Sequence, residues 1–188
     1  MKQSWKPGTM LNPLPVVLVT CGNAEKSNII TVAWTGTICT NPPMLYISVR
    51  PERYSYDIIK NRMEFTVNLT TAAMARATDY CGVRSGRDCD KWADTGLTPE
   101  TGVAVSCTCI KESPLCIECR VKEIVHLGSH DMFIAEVANV LADDSYIDPK
   151  TGAFDLGRAN LLSYSHGKYY DTGEYMGHFG FSVKKKKS

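Results

Sequence analysis

The chain from Asn28 to Lys60 reads NIITVAWTGTICTNPPMLYISVRPERYSYDIIK. Its β-branched and aromatic residues are typical of strands, and Asn41-Pro42-Pro43 interrupts them, so the segment predicts two strands joined by a turn. Apolar residues then recur with helical spacing in Tyr56-Asp57-Ile58-Ile59, which predicts a helix near Tyr54 to Asn61. Two strands followed by a helix are therefore the local unit from which the rest of the fold is built.

Polar side chains gather where the second predicted strand ends and the helix begins. Arg50, Arg53, Tyr54 and Ser55 lie there. Free backbone N–H groups and the helix dipole converge at a helix start, and guanidinium groups form strong charge-assisted bonds to anions. We therefore expect Ser55 and Arg53 to hold a phosphate group, with Arg50 adding to it.

Strands dominate the rest of the chain. Further strands are predicted at 14–21, 64–69, 102–109, 115–127, 131–143 and 159–163, and further helices at 72–80 and around Trp92. This mixture predicts a mainly β fold, a closed or nearly closed β-barrel with helical excursions. No repeat or change in composition marks a boundary, so we expect residues 1–188 to form a single domain.

The composition narrows the functional classes. The chain has 188 residues, 44% of them hydrophobic, and a formal charge of +1, which gives no electrostatic reason for binding nucleic acid or a membrane. The basic run from Lys184 to Lys187 is interpreted as a solvated terminus. Prolines interrupt the first twenty residues where a secretory signal would lie, and no apolar run approaches the roughly 20 residues that span a bilayer. We therefore expect a soluble, cytoplasmic protein.

Four of the eight cysteines form closely spaced pairs that suggest a zinc or iron–sulfur site, namely Cys107, Cys109, Cys116 and Cys119. The segment Leu115 to Val121 looks like a strand, however, and residues three apart on a strand point to opposite faces. Cys116 and Cys119 could then not share a metal. We expect no bound metal and interpret these thiols as small buried hydrophobes in a reducing compartment.

Five segments, in this order, resemble one known family. They are PLPVVLVT at 13–20, the stretch from 28 to 60, SGRDCDKW at 85–92, GSHDMF at 128–133 and GEYMG at 173–177. Together they resemble the flavin reductase-like, FMN-binding split-barrel family, and within it the flavoredoxin-like branch. The resemblance covers nearly the whole chain and implies a split barrel that binds FMN.

The resemblance also implies which residues touch the flavin. The side chains would be those of Asn28, Trp34, Ser55, Lys91, His130 and Tyr164, with backbone groups of Ala33, Thr35 and Tyr54 contributing as well. Ser163 or His166 could take the place of Tyr164.

Three of these residues have simpler interpretations that the sequence leaves open. Lys91 could bind the phosphate or the negative charge of reduced flavin, or it could be a surface lysine in a charged loop. Trp34 alternates with Val32 and Gly36 on one predicted strand face, where it could cover the flavin ring or pack inside the barrel. His130 is our candidate catalytic residue, which would orient ligands or stabilise charge beside the flavin; otherwise, a histidine in such a turn is solvated.

The leading functional hypothesis is an oxidoreductase that takes hydride from NADH or NADPH and passes electrons through FMN to a small-molecule or protein acceptor. An alternative is a flavoredoxin-type FMN electron carrier without nicotinamide oxidase activity, and a third is a binding module that has lost turnover. No GxGxxG motif follows a strand and opens a helix, so a nicotinamide cofactor would have to visit an open cleft.

The resemblance implies a homodimer with FMN near the boundary between subunits. The segment from Tyr164 to Phe181 is rich in tyrosine and glycine and has weak periodicity. We therefore interpret it as an extended arm that could cover the flavin of a neighbouring subunit, because tyrosines are favoured at interfaces.

Overall fold

The computed structural model describes residues 1–183, so the basic run from Lys184 to Lys187 lies outside the described residues. Its strands are β1 (Leu14–Pro15), β2 (Val17–Gly22), β3 (Ser27–Val32), β4 (Thr35–Cys39), β5 (Met44–Val49), β6 (Glu64–Leu69), β7 (Pro99–Thr101), β8 (Thr108–Ile110), β9 (Leu115–His126), β10 (Asp131–Ala142), β11 (Leu162–Ser165) and β12 (Lys168–Asp171). The α-helices are α1 (Tyr54–Arg62), α2 (Ala75–Val83) and α3 (Lys91–Thr95). No helix in this part of the chain is long and apolar enough to cross a membrane.

Seven strands form one antiparallel sheet in the order β3-β2-β6-β9-β10-β5-β4. Laid flat, seven strands at about 4.8 Å spacing would separate the two edges by about 29 Å. The edge strands β3 and β4 are nevertheless consecutive in the chain and are joined only by Ala33 and Trp34. Three Cα–Cα steps span at most about 11 Å, so the sheet must curl until its edges meet. The predicted mainly β barrel with helical excursions is confirmed.

The barrel interior is apolar because alternate residues of the curled strands face inward. Strand β5 shows the alternation clearly, with Leu45, Ile47 and Val49 buried and the residues between them partly exposed. Helix α1 packs Tyr56 and Ile59 into the same interior. A second apolar cluster, formed by Leu18, Ile29, Met74, Cys81, Leu97 and Ile110, joins the outer face of β2 and β3 to α2. Strand β2 is therefore buried along its whole length.

The stretch from Asn28 to Lys60 contains three strands rather than the predicted two. The additional break falls at Ala33-Trp34, where the chain leaves one edge of the sheet and joins the other. The Ser48 N–H donates to the Trp34 carbonyl oxygen at 2.8 Å, which ties this link to β5. A strand pattern cannot reveal such a break, because the reason for it is the closure of the barrel. Trp34 therefore does not lie on a strand face with Val32 and Gly36.

Three other predicted boundaries are corrected. The predicted strand 14–21 divides at Val16, and its first part, β1, pairs with β11 in a separate sheet of order β1-β11-β12. The predicted helix 72–80 begins as a 3-10 turn and continues as α2 to Val83. The predicted strand 159–163 is displaced to β11, at Leu162–Ser165.

The predicted strand 102–109 is mostly a loop, and a buried carboxylate explains why. The Glu118 side chain is fully buried, and its Oε1 accepts from the Val103 N–H at 2.7 Å. Its Oε2 accepts from the Ala104 N–H at 3.1 Å and from the Asn139 amide at 2.8 Å. These backbone N–H groups donate to the Glu118 carboxylate instead of to a neighbouring strand. A buried carboxylate needs such donors.

The paired cysteines lie on strands or beside them, as predicted, and all four are buried. Cys119 belongs to the barrel interior, whereas the Cys116 thiol donates to the Ile110 carbonyl oxygen outside it at 3.6 Å. Burial raises the pKa of Cys107 to about 12, so that thiol stays protonated. Within residues 1–183, no three His, Cys, Asp or Glu side chains are grouped so that they could hold a metal ion. The absence of bound metal remains a prediction.

Candidate functional site

Two adjoining cavities open beside the link between the sheet edges. The larger cavity, of about 590 Å³, is lined by Ala33-Trp34, the end of β5, His130 and the β11–β12 hairpin. The smaller cavity, of about 280 Å³, lies between the start of α1 and the loop from Arg84 to Lys91. Both are lined by Ile30, Arg53 and Gly82, so that one elongated ligand could occupy the two together.

Every predicted site residue except Thr35 lines one of these cavities. Ala33, Trp34, Arg50, His130 and Tyr164 line the larger cavity, Asn28, Tyr54, Ser55 and Lys91 line the smaller one, and Arg53 lines both. The Thr35 hydroxyl donates instead to the Tyr46 carbonyl oxygen at 2.6 Å, beside the cavities. Arg50 is thus separated from the smaller cavity in which Ser55 lies.

Buried polar groups form the floor of the smaller cavity. The Asn28 amide donates to the Ser55 hydroxyl oxygen at 2.7 Å, and both residues are almost fully buried. Gly86 approaches them closely, since a methyl group in its place would collide with the Asn28 amide oxygen and lie 2.8 Å from Cδ1 of Tyr54. Only glycine therefore allows the loop to pack over this floor.

Lys91 is the first residue of α3, and its side chain is buried rather than on the surface as one interpretation of the sequence had it. Its ammonium donates to the Ile29 carbonyl oxygen at 2.7 Å and to the Cys81 carbonyl oxygen at 2.8 Å. Burial lowers the pKa of Lys91. The lysine joins β3 to α2 behind the smaller cavity, and its ammonium carries three N–H groups for the two carbonyls.

The smaller cavity is strongly cationic. Besides Arg53 and Lys91 it is lined by Arg84 and Arg87, which the phosphate prediction from the sequence did not include, and Glu52 is the one acidic residue in its described lining. The motif SGRDCDKW contains Arg87, but nothing in the sequence shows that this loop folds back over the start of α1. Such an excess of positive charge around buried hydroxyl and amide groups suits an anion.

Aromatic groups form the wall of the larger cavity. The ring centroids of Trp34 and His130 lie 4.3 Å apart with the rings tilted by 45°. The Tyr164 and Tyr169 rings meet edge to face at 5.5 Å, and the Tyr169 hydroxyl donates to the Asp79 carboxylate at 3.1 Å. A planar ligand could therefore find aromatic surface on more than one side.

The arm predicted from Tyr164 begins as a hairpin on its own subunit. Strands β11 and β12 pair with each other, and β11 also pairs with β1. The hairpin forms the outer wall of the larger cavity. His166, in the hairpin turn, also lines this cavity, whereas Ser163 lies outside its lining. Which of these residues touches a flavin stays a prediction.

The surroundings of His130 favour the neutral form of its imidazole. Burial and the positive charge of Arg50 lower the pKa of His130 below its usual value of 6.5. Its Nδ1 is 2.9 Å from the Ser129 hydroxyl, which helps to fix the orientation of the ring. A neutral imidazole against Trp34 suits an orienting role, and its catalytic assignment stays a prediction.

Comparison with known proteins identifies the fold. The model of the flavin reductase-like domain matches residues 10–173. The chain belongs to the flavin reductase-like domain family.

Solved structures with the same fold support this assignment. The flavoredoxin of Desulfovibrio vulgaris (Miyazaki F) is 31% identical and superposes with a TM-score of 0.89 over 98% of this chain and 100% of that chain. The flavoredoxin of Methanosarcina acetivorans is 27% identical, with a TM-score of 0.88 and the same coverage. A protein of Shewanella frigidimarina NCIMB 400, described as a flavin reductase with a split barrel domain, is 22% identical with a TM-score of 0.79 over 90% of this chain and 86% of that chain, and supports the fold alone. The resemblance to the flavin reductase-like split barrels, with flavoredoxins among them, is confirmed.

In this member of the flavin reductase-like family, the linings of the two cavities differ in chemistry. The smaller cavity offers cations, a serine hydroxyl and the start of a helix. The larger cavity offers aromatic rings and a neutral histidine. The site is thus complementary to a molecule with an anionic group at one end and a flat ring at the other.

The charge of Arg50 predicts how His130 should titrate. In Arg50→Gln the pKa of His130 should rise, because a positive charge that disfavours the imidazolium is lost, yet burial should keep it below 6.5. The pH titration of the His130 ring protons by NMR measures this. Arg76→Gln, an exposed change on α2 outside both cavities, should leave the pKa unchanged. If the pKa of His130 is the same in the parent and in Arg50→Gln, the charge of Arg50 does not lower it.

Proposed function

We propose that the protein is an FMN-binding oxidoreductase, in which hydride from NADH or NADPH passes through FMN to a small-molecule or protein acceptor. The observation that carries the proposal is the pair of adjoining cavities, one cationic and one aromatic, that meet at Arg53. The phosphate would bind in the smaller cavity and the flavin ring in the larger one. Membership of the flavin reductase-like family supports the same assignment.

The groups around the smaller cavity fit a phosphate. The Ser55 hydroxyl oxygen accepts from Asn28, so its own proton is available to a phosphate oxygen. The N-cap residue of α1, Arg53, makes no side-chain capping bond, which leaves N–H groups of the first turn for an anion. Arg53 would add a charge-assisted bond. Arg50 lines only the larger cavity, and we therefore assign it to the ring end of the ligand.

The groups around the larger cavity fit a flavin ring. Bound FMN would supply a ring that accepts a hydride and passes electrons on. Trp34 and Tyr164 would cover the ring and keep water from it, and neutral His130 would orient the ring or the visiting substrate through its free nitrogen. No proton transfer by His130 would be required, because hydride transfer from a nicotinamide to bound FMN would need no side-chain acid.

A flavoredoxin-type electron carrier without nicotinamide oxidase activity is the second candidate function. The similarity to two flavoredoxins over 98% of the chain favours it. Both candidates use the same flavin site and differ in whether a nicotinamide reduces it. No feature in the described lining of either cavity identifies the electron acceptor.

We also propose a homodimer in a reducing, cytoplasmic compartment. All eight cysteines are free thiols, as in proteins of reducing compartments. Large apolar side chains are exposed in the terminal segments, among them Trp5, Leu11, Met176 and Phe179. Exposed aromatic and apolar residues of this kind favour a partner surface. The part of the arm beyond β12 would then cover the flavin site of the neighbouring subunit.

The phosphate assignment predicts that Ser55→Asp loses FMN. A carboxylate at this buried position would repel the phosphate, and affinity should fall by about a hundredfold or more. Ser55→Ala should lose about tenfold by losing one hydrogen bond to a charged group, and Ser145→Asp, in an exposed turn, should bind like the parent. FMN titration followed by flavin fluorescence measures all three, with circular dichroism to verify folding. A folded Ser55→Asp that holds FMN as tightly as the parent would place the phosphate elsewhere.

Anaerobic mixing with NADH or NADPH tests the oxidoreductase proposal. The FMN-loaded protein should lose its visible flavin absorption with at least one nicotinamide, because hydride transfer removes the oxidised ring system. Dithionite serves as the positive control for reducible flavin. Bleaching by dithionite but by neither nicotinamide would reject the oxidoreductase and favour the electron carrier.

The dimer proposal predicts the effect of shortening the arm. Deletion of residues 172–188 keeps the β11–β12 hairpin and should lower both the dimer fraction in sedimentation velocity and the FMN occupancy. Deletion of residues 184–188 alone is the matched control and should change neither. A protein ending at Asp171 that stays dimeric and fully loaded with FMN would show that the arm covers nothing.

A further inference from the structure

We propose that Arg87 is a positioning residue that fixes the start of α1 for phosphate binding by holding Tyr54 in place. The inference rests on the proposed function, in which the smaller cavity receives the FMN phosphate. It concerns how the cavity is shaped before the ligand arrives, and it assigns Arg87 a role through Tyr54 rather than contact with the phosphate.

The contacts of Arg87 join two separate parts of the chain. Its Nη1 donates to the Glu52 carbonyl oxygen at 3.0 Å, and its guanidinium carbon lies 5.6 Å from the centroid of the Tyr54 ring. The Arg87 backbone N–H donates to the Ser85 hydroxyl at 3.2 Å, which folds the loop at its tip. Arg87 thus ties the loop that ends α2 to the turn that begins α1.

Gly86 also restricts the position of Tyr54. Its backbone is so close to the tyrosine ring and to Asn28 that no side chain could stand there. A methyl group at Gly86 would lie 2.8 Å from Cδ1 of Tyr54, and the Arg87 guanidinium lies over the Tyr54 ring. Both residues thus border Tyr54, the first residue of α1. Ser55 follows directly, and its hydroxyl is already bound to Asn28.

The start of α1 needs such support because its own sequence does not supply a cap. The N-cap residue Arg53 makes no side-chain hydrogen bond to the first turn. A helix start without a cap is less well fixed, and its N–H groups serve an anion only if they point consistently into the cavity. The contacts of Arg87 and Gly86 with Tyr54 provide that orientation from outside the helix.

The shape of the guanidinium, as well as its charge, carries this role. A planar guanidinium can lie over an aromatic ring while one N–H group bonds a carbonyl oxygen, whereas an ammonium cannot reproduce both contacts. Lysine in this position would keep the positive charge near the phosphate. Arg87→Lys therefore separates positioning from simple attraction.

The test compares binding of FMN and of riboflavin, which lacks the phosphate. Arg87→Ala and Arg87→Lys should each lower the affinity for FMN by about tenfold, as expected for the loss of one aromatic contact and one hydrogen bond. Riboflavin should bind all variants alike. In a Tyr54→Leu background, Arg87→Ala should have much less effect, because the ring through which it acts is gone. Arg76→Ala, exposed on α2, should match the parent.

Three results would overturn the proposal. One is FMN affinity of Arg87→Lys equal to that of the parent, since charge alone would then suffice. Another is an equal loss from Arg87→Ala in the parent and in Tyr54→Leu, and the third is an equal loss for riboflavin and FMN, which would mean a general structural defect. Failure of the parent itself to bind FMN would instead refute the proposed function. Thermal unfolding without flavin verifies that each variant is folded.

Discussion

The two-residue link between β3 and β4 is the constraint on which the rest of the structure depends. It joins the outermost strands of a seven-stranded sheet, so the sheet can exist only in a curled form. These two edge strands do not pair with each other, and the barrel therefore has a seam where the hydrogen-bonded ladder stops. The larger cavity lies beside this seam, with Ala33 and Trp34 in its wall. The link that forces the sheet to curl therefore also forms part of the cavity wall.

The seam also determines what stands around it. Strand β5 pairs with the edge strand β4, and the turn after it leads into α1, so the start of that helix is delivered beside the cavity. Strand β3 forms the other edge and brings Asn28 to meet Ser55. Lys91 then joins β3 to α2 through two carbonyl oxygens. A buried ammonium needs such partners, and here they also hold the wall of the cationic cavity in place.

Local signals in the sequence explain what could be predicted. The helix at Tyr54 and the strand 64–69 follow from periodicity and turn residues. The resemblance carried by short motifs named residues that line the two cavities. The break at Ala33-Trp34 was not predictable, because its cause is the meeting of strands distant in the sheet. The loop after Thr101 was not predictable either, since the Glu118 carboxylate that binds its N–H groups comes from another strand. The sequence did not predict Arg84 as a residue of the smaller cavity for the same reason, because its position there depends on tertiary structure.

The smaller, cationic cavity brings several positive charges together. Arg53, Arg84, Arg87 and Lys91 converge on a small volume whose one described acidic neighbour is Glu52. Positive charges that line one cavity repel one another, and burial adds to the cost of the charged lysine. Burial is the main cause that lowers the pKa of Lys91, and the charge of Arg53 lowers it further. A doubly charged phosphate would relieve this repulsion, so part of its binding free energy would reappear as stability of the fold. Because Asn28, Ser55 and Lys91 are buried and hydrogen-bonded within the fold, a phosphate bound beside them would act on contacts that also stabilise the folded chain.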